Sequence, residues 1–138
     1  MNEHQIQCSR FTETEPYMNE NQLGYFQEKL VRIIRQMSEK VENTRREMKQ
    51  GNGRCADIAD RSELATWREN LLANCEHCQK IIRQSEAALK RIRNRTFGYC
   101  VLTGNEIGLQ RLNIVPYAHL SVEAQDLFEN SVRRSRWN

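Results

Sequence analysis

Turn-forming residues are scarce in this chain, whose 138 residues include six glycines and two prolines. Folds built from many short strands need frequent tight turns, so this scarcity favours a mainly helical protein. Long apolar runs are also absent: none approaches the roughly 18 residues that cross a bilayer, and the N-terminus lacks the apolar core of a signal peptide. We therefore expect no membrane partner and a cytoplasmic location.

Charge and apolar content are both modest. The formal net charge of +3 at pH 7 is too small to make nucleic-acid binding the default expectation. Basic residues cluster at 90–95 and 133–136, where they could meet phosphates, an acidic protein surface or only solvent. With 38% hydrophobic and 28% charged residues, the chain fits a helical rod attached to a small globular part better than a compact sphere.

Two amphipathic runs of similar length flank residues 51–61, a segment that contains two glycines and two aspartates. In both runs apolar residues recur at steps of three and four, the heptad pattern of a coiled coil. Before the segment these positions are Leu23, Phe26, Leu30, Ile33, Met37, Val41, Thr44 and Met48; after it they are Leu64, Trp67, Leu71, Asn74, Cys78, Ile81, Ser85, Ala88 and Ile92. The pattern predicts a long antiparallel coiled-coil hairpin over residues 19–94 with its tip at 51–61.

The ends of both helices carry recognisable signals. Asn19 can cap the first helix, and Gly51 and Gly53 are expected to end it. The second helix is expected from Ser62, or just before it, to about Asn94.

Two carboxylates, Asp57 and Asp60, lie in the tip segment. Either of them could cap the second helix, but a helix has one N-cap. The other carboxylate is then left at the exposed end of a rod, a position suited to reaching into a partner. The tip is therefore the first candidate functional site.

Five cysteines are an odd number, which favours reduced thiols over disulfides in an intracellular chain. Cys75 and Cys78 form a Cys-x-x-Cys pair, but one such pair on a helix is a weak zinc signal. Because Cys78 falls on the predicted seam, we interpret it as a core residue with Cys75 and His77 on its flanks.

Residues 95–138 have a different composition. Their glycines, aromatics and β-branched residues predict a small globular knot of turns and short strands, the last of them ended by Pro116. Residues 1–18, which lack periodicity, are expected to form an N-terminal arm on this globular part. A final helix is predicted over 122–133, packing on the knot through Leu127, Phe128 and Val132.

Four motifs, in this order, resemble the DksA/TraR family of bacterial transcription factors. They are residues 16–20 (Pro-Tyr-Met-Asn-Glu), 57–61 (Asp-Ile-Ala-Asp-Arg), 87–92 (Ala-Ala-Leu-Lys-Arg-Ile), and 97–100 (Phe-Gly-Tyr-Cys) with 104–108 and 111–112. The resemblance extends from about residue 16 to 128. It implies a monomeric regulator without enzymatic activity that inserts its coiled coil into the secondary channel of RNA polymerase. Such regulators alter open-complex stability, repressing ribosomal RNA promoters and activating amino-acid biosynthesis promoters.

The resemblance also implies roles for particular residues. Asp57 and Asp60 match the acidic positions of the family's DxxDxA tip motif, which acts near the polymerase active centre. Arg61 follows them, and Ser62 replaces the motif's final alanine, a change that we expect to tune activity without abolishing it. Two further positions match polymerase contacts at the channel and its rim: Ile81 and Arg111.

The chain departs from the family at its four-cysteine zinc finger. The ligand positions fall on Cys100, Thr103, Ser121 and Ala124, so one thiolate of four remains. Zinc needs about four N, S or O ligands, and we therefore expect no zinc and no other cofactor. Apolar packing would have to hold the knot instead, through Phe97, Tyr99, Val101, Leu102, Ile107, Leu112, Ile114 and Leu120.

A second departure concerns guanosine tetraphosphate, the nucleotide with which family members often act. Positions that carry basic residues in the family are here Gln84, Val115 and Gln125. Losing three cations weakens phosphate binding. Arg83, Arg91 or Arg111 could replace the missing contacts, so the nucleotide remains a candidate effector.

Two other functions fit the same pattern. A Gre-like transcript-cleavage factor also places acidic residues at the tip of a coiled coil, where they help to hold a catalytic metal of the polymerase. A nucleic-acid-binding coiled-coil protein would use the terminal arginines, and its binding would weaken steeply with salt. The family resemblance favours the polymerase regulator, for which no direct sequence-specific DNA binding is expected.

Overall fold

The computed structural model describes residues 14–54 and 61–137, apart from the side chains of 52–54. Four helices follow in order: α1, Glu20–Arg54; α2, Arg61–Arg93; α3, Leu109–Ile114; and α4, Val122–Trp137. The two long helices form a hairpin, which confirms the predicted mainly helical fold. Across these residues no helix is long and apolar enough to span a membrane.

Both ends of α1 depend on local contacts. Asn19 caps the helix as predicted, because its Oδ1 accepts a hydrogen bond of 2.9 Å from the backbone N of Gln22. At the other end the prediction was wrong: α1 continues through Gly51 and Gly53 to Arg54. The indole ring of Trp67 packs against Gly51, where a Cβ atom would come within 2.7 Å of the ring's Cζ2. Gly51 therefore permits a close approach between the helices and does not end the first of them.

The chain divides into two compact units, and residues 31–86 form the hairpin unit. Its buried cluster contains Val41, Cys75 and Cys78. Cys78 is in the core as predicted, but Cys75 is buried too, whereas the predicted seam residue Asn74 is exposed. The apolar face therefore shifts by one residue at this turn, so that the thiol of Cys75 is buried and the amide of Asn74 is in solvent.

The globular unit comprises residues 14–30 and 87–137 of the described chain. Its core joins the N-terminal part of α1 to the end of α2 and to the segments that follow. The rings of Phe26 and Phe97 lie 5.6 Å apart at its centre. The buried members are Leu23, Phe26, Leu30, Ala88, Ile92, Phe97, Cys100, Ile107, Leu112, Ala118, Leu120 and Ala124.

Half of the predicted knot core is exposed. Phe97, Ile107, Leu112 and Leu120 are buried as expected, whereas Tyr99, Val101, Leu102 and Ile114 are exposed. For Ile114 the cause is that residues 109–114 form a helix where a strand was predicted, which turns Leu112 inward and Ile114 outward. Among the described residues, the one β-pairing is an isolated bridge between Tyr99 and Glu106.

Helix α4 packs differently from the prediction. It extends to Trp137, and its contact residue is Ala124, of which 2% is exposed. The three predicted contacts, Leu127, Phe128 and Val132, are all exposed. The small side chain of Ala124 lets the first turn of the helix approach the core closely.

Hydrogen bonds from polar side chains connect the segments of the globular unit. The hydroxyl of Tyr17 donates to the backbone O of Gly98 at 2.6 Å and accepts from the backbone N of Gly108 at 3.0 Å. Burial raises the pKa of Tyr17, so its hydroxyl stays protonated and can keep donating. On α1, Lys29 Nζ lies 2.9 Å from the Oδ1 of Asn113, which anchors the end of α3.

Candidate functional site

The two tip aspartates, Asp57 and Asp60, lie outside the described residues, and the structure begins again at the first residue of α2. Arg61 and Ser62 occupy the first turn of that helix and are both exposed. The backbone O of Ser62 accepts a hydrogen bond of 3.0 Å from Thr66 Oγ1.

The helix ends next to the tip segment are held by the contact between Gly51 and Trp67. Gly51 is three residues from the end of α1, and the half-buried Trp67 is six residues after the start of α2. Because the indole ring lies directly against the α1 backbone, it sets the spacing of the two helices there. The sequence pattern placed Trp67 on the seam, but the pairing with Gly51 was missed. The available signal was that this glycine faces a tryptophan across the predicted hairpin.

Three of the four positions of the family's zinc ligands meet at the sulfur atom of Cys100, and the fourth, Ala124, is hydrogen-bonded to Ser121. Cys100 is buried, and its sulfur accepts hydrogen bonds from the Thr103 hydroxyl and from the backbone N–H groups of Leu102, Thr103 and Ser121. Ser121 Oγ in turn accepts a bond of 3.3 Å from the backbone N of Ala124. Burial by itself raises the pKa of the Cys100 thiol, but the four donors outweigh it and lower the pKa to about 6. Cys100 is therefore a thiolate at neutral pH.

This donor set does not fit zinc. One thiolate, two hydroxyl groups and a methyl group stand where four thiolates are needed. Throughout residues 14–54 and 61–137, no group of three or more His, Cys, Asp or Glu side chains could hold a metal ion. Hydrogen bonds occupy the sulfur of Cys100 in place of a cation.

The predicted contact residues differ in accessibility. Ile81 is 9% exposed and belongs to the buried face of the hairpin unit, so it is first of all a packing residue. Arg83 is exposed and lines an open cleft of about 490 Å³ on α2 together with His77 and Lys80. Arg111 is half-buried, and its Nε donates to the backbone O of Leu120 at 3.1 Å.

Arg91, the other candidate effector contact, is half-buried in the globular unit. Its Nη2 atom is fully buried and has no hydrogen-bond partner among the described residues. Burial lowers the pKa of Arg91, although an arginine side chain stays charged. Burial, and then the charges of Arg91 and Arg111, also lower the pKa of His119, so the three groups are near one another. The sequence had named Arg91 and Arg111 as possible effector contacts, but it had not placed His119 beside them.

Two family models match the chain. The model of the DnaK suppressor protein DksA, N-terminal domain, matches residues 22–92, and that of the prokaryotic dksA/traR C4-type zinc finger matches residues 95–130. The RNA polymerase-binding transcription factor DksA of Caulobacter vibrioides is 38% identical over 131 residues, which cover 92% of this chain and 89% of that protein. The protein of the same name from Escherichia coli strain K12 is 33% identical over 115 residues, which cover 83% of this chain and 76% of that protein.

Solved structures show the same fold. Transcription factor DksA2 from Pseudomonas aeruginosa is similar with a TM-score of 0.72 and 27% identity, over 96% of this chain and 99% of that one. The RNA polymerase binding protein and transcriptional regulator Dks from Chlamydia trachomatis has a TM-score of 0.52 at 21% identity, over 83% and 95%. The second likeness bears on the fold alone.

Proposed function

This chain belongs to the DksA/TraR family of RNA polymerase-binding transcription regulators, and we propose that it acts by inserting its hairpin into the polymerase secondary channel. The observation that carries the proposal is the pair of long helices, α1 and α2, joined through a segment that bears Asp57 and Asp60. A helix of 33 residues, such as α2, is about 50 Å long, which suits a channel-penetrating element.

The tip carboxylates are the acting groups of this mechanism. Negative charge brought near the polymerase active centre changes the electrostatic field around its metal ions and nucleic acids. Asp57 and Asp60 alter open-complex stability in this way, and Arg61 and Ser62 complete the tip. The regulator then represses ribosomal RNA promoters and activates amino-acid biosynthesis promoters.

Docking outside the channel falls to the globular unit and the base of the hairpin. Arg111 is accessible enough to contact the rim of the polymerase, while the burial of Ile81 limits it to a small apolar contact. The protein works as a cytoplasmic monomer, without catalysis and without direct sequence-specific DNA binding.

The knot folds without zinc in this proposal. Two observations support it: a single thiolate that is already saturated with hydrogen-bond donors, and a core of apolar side chains around it. Guanosine tetraphosphate, the nucleotide of the stringent response, is a weaker effector here because Gln84, Val115 and Gln125 cannot supply charge-assisted contacts. Arg83 and Arg91 are the candidate substitutes.

Binding to purified core RNA polymerase, followed by transcription from a ribosomal RNA promoter, tests the proposal. We expect stoichiometric binding that a Gre factor displaces, together with a shortened lifetime of the open complex. Cleavage of a stalled transcript in the same assay would instead identify a Gre-like cleavage factor. Binding to naked DNA that weakens steeply with salt would identify a nucleic-acid-binding protein.

A further inference from the structure

Three sulfur-bearing side chains lie together in the hairpin unit. Cys75 and Cys78 are one turn apart on α2 and belong to one buried cluster with Val41 of α1, against which Met37 also packs. The Sγ atom of Cys75 lies 4.0 Å from the backbone O of Val41, which places this thiol between the two helices. Because the helices are antiparallel, Met37, one turn before Val41, reaches the level of Cys78. Two thiols and a thioether thus share one short stretch of the seam.

The bonds that this pair of cysteines makes are weak. The contact from Cys75 to Val41 is long, thiols are poor hydrogen-bond donors, and both cysteines are free. A disulfide does not suit them, because residues three apart on a helix have Cβ atoms about 5–6 Å apart and a disulfide needs about 3.5–4.5 Å. A cation between the sulfurs fits better, since two metal–sulfur bonds of about 2.3 Å span roughly 4.6 Å.

We propose that Cys75, Cys78 and Met37 form a binding site for the soft monovalent cation Cu(I). Thiolate and thioether are the soft ligands that select Cu(I), which accepts two or three of them. Zinc needs about four ligands, and in the described ranges 14–54 and 61–137 no three His, Cys, Asp or Glu side chains group to hold a metal. His77 is exposed, so it lies off the buried face that holds both cysteines.

The site is open enough for an ion to enter. Cys75 is 8% exposed and Cys78 is 9% exposed, while Met37 is only partly buried. Binding displaces the proton of each thiol to solvent and forms two copper–sulfur bonds, without a change in the oxidation state of copper or sulfur. An ion held by α1 and α2 together links the two helices that flank the tip segment, so Cu(I) should stabilise the hairpin against unfolding.

Anaerobic titration of the full chain against the coloured Cu(I) complex of bicinchoninate tests the site. Cys75→Ala with Cys78→Ala removes the pair, and Cys8→Ala with Cys55→Ala is the matched control, which removes two thiols from outside the described residues. We expect the unaltered protein and the control to withdraw one equivalent of Cu(I), and the first variant to bind at least about a hundredfold more weakly. Equal affinities of the two double variants, or no withdrawal of Cu(I) by the unaltered protein, would overturn the proposal.

Met37→Leu provides a second check, because it removes the third sulfur and nearly keeps the volume of the side chain. This variant should retain its helical circular dichroism and bind Cu(I) about tenfold more weakly. Unchanged affinity would contradict a site made of three sulfurs. X-ray absorption of the copper complex should show sulfur ligands alone, and a nitrogen ligand would instead assign the ion to His77 and contradict the site.

Copper binding is measured on the isolated protein, without polymerase. Its failure would therefore leave the proposed polymerase function untouched, and its success would not by itself support that function. In the unaltered protein Cu(I) should also raise the midpoint of thermal unfolding, whereas the variant that lacks Cys75 and Cys78 should not respond. An equal rise in both proteins would place the ion elsewhere in the chain.

Discussion

Gly51 lies in α1 where the indole ring of Trp67 leaves no room for a side chain. Glycine inside a helix costs about 0.5–1 kcal/mol relative to alanine, so its presence here reflects the close approach. We expect Gly51→Ala to lower the free energy of unfolding by about 1–3 kcal/mol through overpacking, as measured by urea denaturation. Gly24→Ala is the control, because a Cβ atom at Gly24 would meet nothing within 4 Å.

The free energy of unfolding of the Gly24→Ala control should rise by up to about 1 kcal/mol, because alanine has the higher helix propensity. A similar gain in both variants would show that the Trp67 ring does not pack on Gly51. Replacing Trp67 by leucine should abolish most of the penalty at Gly51, giving a non-additive double-mutant cycle.

Cys100 links stability to pH. Its pKa is lowered from the usual 9.0 to about 6, so the thiolate stabilises the fold fully above pH 9.0 and loses this contribution as the pH falls through 6. The free energy of unfolding should therefore rise between pH 6 and pH 9. The dependence of the free energy of unfolding on pH should be weaker in Cys100→Ser. In the unaltered protein, the ultraviolet absorbance of one thiolate should appear as the pH rises through about 6.

The matched control is Cys78→Ser, which removes a buried thiol from the hairpin unit and leaves Cys100 in place. This variant should keep the pH dependence. The absence of a one-thiol absorbance change near pH 6 in the unaltered protein would contradict the hydrogen-bonded thiolate.

At the scale of elements, α1 and α2 could be predicted because their heptad stripes extend over many turns, and the start of α1 because Asn19 is a local capping signal. The end of α1 was wrong, since Gly51 serves the contact with Trp67.

The buried positions along α2 were predicted less well. The apolar face shifts by one residue, so that Cys75 is buried in place of Asn74, and the sequence spacing alone does not reveal this shift. The knot was predicted less well. Leu109–Ile114 is a six-residue segment with apolar residues at 109, 112 and 114, too short for periodicity to separate helix from strand, and that choice decided the exposure of Ile114.

In the candidate site, too, some features could be predicted from the sequence and others could not. The family motif identified Asp57 and Asp60, whose placement stays a prediction, and it identified the zinc positions. The bond from the backbone N–H of Ser121 to Cys100 and the cluster at Arg91 were not predictable from sequence, because they join residues distant in the chain through loop geometry.

In our proposal apolar packing and hydrogen bonding hold the knot, so chelation should leave it folded. We expect a strong chelator to leave both thermal unfolding and promoter activity unchanged, and elemental analysis to find no stoichiometric zinc. In a four-cysteine relative the same treatment should unfold the knot, since metal binding there contributes to folding. About one zinc per chain, released together with activity, would contradict this and require ligands from Cys100, His119 and a partner chain.

For the whole molecule bound to polymerase, the response to guanosine tetraphosphate depends on the charges at positions 84, 115 and 125. The nucleotide should enhance this protein's effect less than that of a four-cysteine relative, because three expected cations are missing. The comparison requires a polymerase that lacks its other binding site for the nucleotide. Equal enhancement by the two proteins would show that Arg83 or Arg91 replaces the missing cations.

The most direct measurement compares the lifetime of open complexes at a ribosomal RNA promoter with the unaltered protein and with Asp57→Asn and Asp60→Asn. Asparagine caps helices as well as aspartate does, so the variants should keep the fold and bind core polymerase with unchanged affinity. We predict that they bind without shortening the lifetime, because the tip charge is gone. A lifetime shortened as much as by the unaltered protein, or losses of affinity and regulation in equal proportion, would contradict the role of the tip carboxylates.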